Sequence, residues 1–411
     1  MPRENTFQPE KVTPRVREDI YKYRACVTRM DKSCFKSPEE KAGYYSRIRY
    51  CISIGEAVFF LMFCVLWHTM GVSARLSGAI ETMASTSNPF VAGPVFLACF
   101  SLVYYILSFP AVFYRNFLLE HQFGLSNQSV RSFFFDQVKA GLLAFSLSAA
   151  GLLLFYFLYT AYPLEWWIYL TVCWIALNTV MAYLVPLVVV PMFFKYTRFP
   201  EGPLRQRISG LAQAMGIRLL EIYHIDFSRR TVKANAGLMG LGNSKRVVLS
   251  DTVQKSFTDE EIAAIVAHEF AHSRNRHMPK LMLASSVFAA LLFYAAFRVS
   301  PAALSWVRVR SWTDPAAIPV ILCSVFLAEA IVQPLINALS RRFESEADTA
   351  AIQATGSADS FITAMEKLAA RNLSDPKPPA LLVWLFYSHP PVSERIARAR
   401  AWQGMPGRHV L

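Results

Sequence analysis

Residues 262–272 read Ile-Ala-Ala-Ile-Val-Ala-His-Glu-Phe-Ala-His, and the last five of them decide how the rest of the chain is read. On a helix, His268 and His272 are four residues apart and project from one face, so both can reach one ion. Glu269 lies beside His268, where its carboxylate can face a metal-bound water and take its proton. The flanks predict that helix. Thr258 with Glu261 three residues later forms a capping box, and Ile262, Ile265 and Val266 give an apolar stripe for burial. The bland alternative is a chance match on a solvated helix. With 8 histidines in 411 residues, chance accounts poorly for that spacing.

A third ligand candidate lies downstream. Arg341-Arg342-Phe343-Glu344-Ser345-Glu346-Ala347-Asp348 follows a long apolar segment and is expected to continue its helix. Glu344 completes a His-His-Glu set that leaves a coordination position open for water, the arrangement of a catalytic zinc site. Asp348 falls one turn later on the same face, placed to accept the free ring N–H of a zinc-bound histidine. A charged helix exit at a membrane surface explains Arg341, Arg342 and Glu346 equally well, and on that reading alone Glu344 has no special role.

The setting is a membrane protein. The chain is 54% hydrophobic and 17% charged, with 31 phenylalanines. A helix needs about 20 apolar residues to cross some 30 Å of hydrocarbon. Six runs qualify: 52–72, 91–113, 138–161, 166–194, 281–298 and 317–338. The expected fold is therefore an α-helical polytopic membrane protein of about six transmembrane helices with a small α+β, zincin-like catalytic region. Its parts are a polar N-terminal segment over 1–49, membrane helices over 50–194, and a soluble region over 195–280. Two more membrane helices over 281–340 and a catalytic C-terminal segment over 341–411 complete it. In 195–280, Leu204, Ile208, Leu211 and Met215 space an amphipathic helix ending near Gly216. A strand is expected over 219–225, and a hairpin runs from Thr231 to about Leu238 and back through 246–249. Residues 360–371 form a further amphipathic helix, and 15–30 a partly helical stretch. The 7 cysteines are scattered without a CxxC pair and read as reduced residues, most of them in apolar segments. The start lacks the apolar stretch of a cleavable signal.

The net charge of +13 raises the question of nucleic acid, but its distribution answers otherwise. Arg and Lys crowd 1–49, 114–139, 195–280 and the stretch after 340, and are few in 73–90 and 299–316. That asymmetry follows the positive-inside rule and places both ends and every motif on the cytoplasmic side. No nucleic-acid-binding motif is present. Among isolated residues, His277 is expected in the last turn of the metal helix, opposing its dipole. His68, His121, His224 and His409 read as structural or exposed. Glu56 and Glu329 sit in apolar runs, where a carboxylate must face protein or water, and Asn178 reads as a local hydrogen bond between helices.

Taken together these pieces resemble the CAAX prenyl protease type 1 family, integral-membrane zinc endopeptidases that trim prenylated proteins. The resemblance rests on His268–His272, on Glu344–Asp348, and on Tyr387-Ser388-His389-Pro390 with Glu394-Arg395 close behind. Thr231–Gly237 with Lys245–Thr252 resembles the family's substrate-side strand pair, and His121–Leu125 and Val190–Phe193 also match. Similarity runs from about Tyr44 to Arg395. One departure is that the family begins with a further membrane helix, for which 1–49 is too polar.

The resemblance implies spans enclosing a chamber, and active-site roles for His389 and Arg395. His389, held by Pro390-Pro391, is the candidate donor to the oxyanion, with Arg395 six residues further on. By residue type alone, His389 is a loop turn and Arg395 a solvated helix face. Val232–Leu238 is the expected edge for an extended peptide, with Asn235 and Ala236 as substrate-binding residues, because small side chains admit a second backbone. The expectation is thus a zinc metalloendopeptidase. Zn2+ is held by His268, His272 and Glu344, Glu269 is the general base, and Asp348 stands behind the ligands. Its partners are a peptide or protein substrate, prenylated in the family, and the lipid bilayer, with no nucleic acid. It would lie in the inner membrane of a bacterium or the endoplasmic reticulum of a eukaryote. A general quality-control protease of membrane proteins and a non-proteolytic zinc-containing transporter or scaffold are the alternatives.

Overall fold

The computed structural model of the chain describes Phe35, residues 37–240 and residues 245–404. Six helices are long and apolar enough to cross a membrane: Pro38–Thr69, Pro89–Gln122, Val130–Ala161, Trp166–Phe193, His277–Val307 and Pro315–Thr355. Each expected run falls on one of them, though 52–72 overruns the end of its helix at Thr69 and 166–194 overruns Phe193 by one residue. The first helix starts earlier than the polar pattern of 1–49 implied. Ser37 caps it by accepting the Glu40 N–H, Pro38 occupies its first turn, and Glu39 and Glu40 favour its N-terminus. Its polar first turns, Ala42 and Tyr45 among them, pack against Leu119, Phe123 and Leu125 below the apolar part. The expected helix over 15–30, Cys26, Cys34 and His409 lie outside the described residues.

The 73–90 connection is not a loop throughout. Val72–Met83 is a 12-residue helix, and at 1.5 Å per residue it spans only about 18 Å, too short to cross. Its Ser77 meets Asp314, at the start of the sixth long helix, 3.4 Å away. The ends 69–89 and 299–316 therefore meet at one pole of the bundle. Two spans carry one-turn π segments near the opposite pole, Tyr114–Leu118 and Val185–Val189. Inside the bundle, Glu56 is ion-paired with Arg115. Asn178 bonds within its own helix, to the Trp174 carbonyl at 2.8 Å, and not between helices.

At the second pole sits the α+β region. Its sheet has the order β1-β2-β4-β3, with β1 Tyr196–Arg198, β2 Glu221–Ile225, β3 Ala236–Met239 and β4 Arg246–Ser250. β2 and β4 run parallel; β3 and β4 form the expected antiparallel pair, with Leu238 opposite Val247. The expected turn residues Leu241, Gly242 and Asn243 lie outside the described residues. Helix Pro203–Ala214 precedes β2 and ends where Gly216 adopts φ +71°, a left-handed conformation that glycine takes without steric cost. Ile222, Val247 and Leu249 from one face of the sheet share a core with Ile262, Ile265, Val266 and Phe270 of the next helix. Ala347, Ala351 and Phe361, from the end of the sixth long helix and the helix Ala358–Asn372, close that core. Burial of this apolar surface fixes the metal helix against both the sheet and the sixth span.

Candidate metal centre

The helix Asp259–Arg274 opens with the capping box expected from sequence. The Thr258 hydroxyl accepts the Glu261 N–H at 3.3 Å, and the Glu261 carboxylate accepts the Thr258 N–H at 2.9 Å. Lys367 also reaches Glu261 at 2.7 Å. Burial alone would raise the Glu261 carboxyl, but Lys367 and the Thr258 N–H outweigh it and hold the group below its ordinary value. With its start fixed and its apolar stripe buried, the helix presents His268 and His272 on the face turned to the sixth span. Glu344 arrives from that span, as its sequence position implied.

His268 Nε2 and His272 Nε2 lie 3.0 Å apart. Glu344 Oε2 is 3.2 Å from the first and Oε1 is 3.3 Å from the second. Two ligands at about 2.1 Å from a tetrahedral ion lie roughly 3.4 Å apart, so this spacing suits one small cation. The donor chemistry agrees. No donor meets the buried Glu344 Oε2 in hydrogen-bonding geometry, although the His268 ring is close. A buried carboxylate oxygen left in this way calls for a positive partner. Among the described residues, these three form the group of His, Cys, Asp or Glu side chains that fits a metal ion.

Asp348 stands where the helical spacing placed it. Its Oδ1 is 2.9 Å from His268 Nδ1, the ring nitrogen facing away from the centre. Burial would depress the His268 imidazole, but Asp348 and Glu344 push it up to about 9, so a proton and a cation compete for this ring. Arg395 grips Asp348 with two contacts, Nε to Oδ2 at 2.9 Å and Nη2 to Oδ1 at 2.5 Å. The residue is 9% exposed. Burial opposes its charge, and Asp348 more than restores it. The residue-type reading of Arg395 as a solvated helix face does not hold. It lies behind the ligands, 3.9 Å from Glu344, and is committed to Asp348. His389 occupies the opposite, open side. Its Nε2 is 3.2 Å from Glu344 Oε1, and the Ser388 hydroxyl meets its Nδ1 at 2.8 Å.

Glu269, half-buried, faces the sheet edge, where its Oε2 lies 3.4 Å from the Leu238 N–H. β3 is an edge strand, hydrogen-bonded on one side to β4. By strand alternation, Ala236 and Leu238 direct their backbone groups outward, beside Glu269. The edge is shorter than the sequence pattern over 232–238 implied. The Ala234 N–H already donates to Asn372 at 3.0 Å and the Val232 carbonyl accepts from Arg371, so these residues are tied to the helix Ala358–Asn372. Asn235 is exposed, and its backbone bonds to Ser250.

His277 departs from expectation. The metal helix stops at Arg274, Arg276 turns through φ 54°, and His277 opens the next helix instead of closing this one. It is 1% exposed, and its Nδ1 lies 3.0 Å from Nδ1 of His272. Its spacing of five from His272 was the available signal, but that spacing fits no single helical face.

The profile of peptidase family M48 matches residues 199–403, and that of the CAAX prenyl protease N-terminal region, described as five membrane helices, matches 28–195. Four long apolar helices lie among the described residues of that second stretch. A "CAAX prenyl protease 1 homolog" of Arabidopsis thaliana is 30% identical over 71% of this chain and 69% of its own. "CAAX prenyl protease 1" of Saccharomyces cerevisiae is 27% identical over 87% and 84%. "Uncharacterized metalloprotease YhfN" of Bacillus subtilis is 27% identical over 92% and 90%. The crystal structure of S. mikatae Ste24p superposes with a TM-score of 0.80 at 24% identity, covering 93% of this chain and 95% of that one, and shares the fold.

Proposed function

Because the chain belongs to the CAAX prenyl protease type 1 family of M48 peptidases, and is thereby a membrane-embedded metalloprotease, we propose that it is a zinc endopeptidase acting on extended peptides. One observation carries the reading. The converging His268, His272 and Glu344 atoms and the free edge of β3 lie on either side of one carboxylate, Glu269. The three ligands would hold zinc, which supplies a Lewis acid that acidifies water and polarises a peptide carbonyl. Glu269 takes the proton of the attacking water and returns it to the leaving amine. Ala236 and Leu238 pair with the substrate backbone, and the exposed Asn235 amide anchors its main chain. His389, on the open side of Glu344, donates to the oxygen that gains charge. Asp348 accepts the Nδ1–H of His268 and keeps Nε2 free for the metal, with Arg395 holding Asp348.

Main-chain pairing reads no side chain, so it serves a prenylated C-terminus and a misfolded membrane protein alike. The names of the relatives favour prenylated substrates for this chain. The backbone edge equally admits general proteolysis. The charge asymmetry supports a catalytic pole on the cytoplasmic side.

The test of the chemistry is Glu269→Gln in protein purified in detergent. Its zinc content is expected to match the parent while cleavage slows by about 10²–10⁴-fold. Cleavage at the parental rate would overturn the mechanism. A cleavage-site profile on peptides with and without a farnesyl cysteine separates the two substrate readings.

A further inference from the structure

The two histidine ligands are supported differently. His268 has a carboxylate on its outer nitrogen, Asp348 at 2.9 Å. His272 has another imidazole, His277, with the two Nδ1 atoms 3.0 Å apart. The His277 ring stacks on Phe343, centroids 4.4 Å apart and planes within 5°. Its Nε2 lies 3.3 Å from Glu346 Oε2, and Arg342 holds the other oxygen of Glu346 at 3.3 Å. Phe343 and Glu346 flank Glu344 on the sixth long helix, so the element that supplies the third ligand also braces the second.

Proton bookkeeping then leaves one arrangement. Two ring nitrogens at hydrogen-bond distance share one proton. With zinc on Nε2 of His272, that ring is neutral and its proton is on Nδ1, which must donate. His277 Nδ1 must accept, its own proton sits on Nε2, and that N–H faces Glu346.

Resting on the zinc reading, we infer that His277 is a positioning residue for the metal. It is a neutral imidazole that accepts from His272 and is tethered by Glu346, fixing the tautomer and ring angle of one ligand. The placement also uses the joint between helices. Asn275 and Arg276 alone separate the metal helix from the helix that His277 opens, and the left-handed Arg276 turns the His277 ring back onto His272.

A ring that merely fills space against Phe343 makes a different prediction, and two substitutions separate them. His277→Phe keeps the stack and removes the acceptor. His277→Gln loses the stack and offers a carbonyl oxygen to His272. Zinc affinity is measured for the full chain in detergent by competition with a chromophoric chelator. His277→Phe is expected to weaken zinc by about 10–100-fold, the usual cost of losing such a partner, and His277→Gln to lose clearly less. Equal losses in the two variants, or parental affinity in His277→Phe, would overturn the inference. Should His277→Phe fail to fold, Glu346→Ala at a half-exposed position carries the test: weaker zinc supports the tether, and unchanged affinity overturns it. His268→Ala is the control. If it still binds zinc at parental strength, the ligand set itself is wrong, and the inference falls with it for that separate reason.

Discussion

His389 and Arg395 reach the same carboxylate, Glu344, from opposite sides, and their surroundings separate their expected effects. His389 is exposed on the open side, with its Nε2 3.2 Å from Glu344. Arg395 is buried and paired with Asp348. His389→Ala is therefore expected to lower kcat by roughly 10²–10³-fold, the cost of one oxyanion donor, with zinc content unchanged. Arg395→Ala leaves Asp348 buried without its counter-charge and is expected to weaken zinc itself. Zinc analysis beside steady-state kinetics checks both, and a His389 variant that lost its metal would reassign that residue as a ligand. At this scale the sequence was legible wherever one helix carries the pattern. His268, Glu269, His272, Glu344 and Asp348 follow helical spacing, and the structure brings them together. His277 was misplaced because its partner lies across a break in the helix, and spacing rules do not survive a left-handed residue.

Secondary elements were legible at their ends when a side chain does the capping. Thr258 and Glu261 are the clearest case, and they carry a pH prediction. The Glu261 carboxyl sits below its ordinary value of 4.5 in the folded protein. A depressed folded value means that the stability it contributes is fully present above the unfolded value, and is lost as pH falls through the folded one. Glu261→Gln keeps an oxygen that accepts the Thr258 N–H, so it is expected to cost no more than about 1 kcal/mol at pH 7, from the lost charge facing the partly exposed Lys367. The difference in Tm between parent and variant is expected to narrow below about pH 4. A difference that stays constant or grows in acid would contradict that account. The sheet edge was harder to read. Residues 232–238 all look like strand, but Asn372 and Arg371 bind the first of them, and that tie comes from 138 residues away. The edge itself predicts that Asn235→Ala raises KM with zinc unchanged, because the residue is exposed and its bonds to Ser250 are made by its backbone, which the substitution keeps. Unchanged kinetics would remove Asn235 from substrate binding.

For the whole molecule, six long apolar helices put residues 69–89 at one pole and the metal centre at the other. In sealed vesicles, a membrane-impermeant maleimide is expected to reach single cysteines at Ser85 and Ser209 from opposite sides, after the 7 native cysteines are replaced. Labelling of both from one side would overturn the arrangement. The spans were legible from hydropathy because length and apolarity are summed properties. Their starts were not, since the first helix runs on through the polar turns of Pro38–Arg49, where packing on Leu119 and Phe123 replaces lipid.

Glu344 lies on an unbroken 38-residue helix that begins as the sixth span, and the helix that carries the other two ligands ends two residues before the fifth. Anchor and third ligand are thus one rod. On the Glu344 side the reaction centre has no seam at which recombination could cut it loose, so the complete ligand set does not travel as a cassette without its span. A lineage that needed a water-soluble version would have to rebuild the third ligand on a new support.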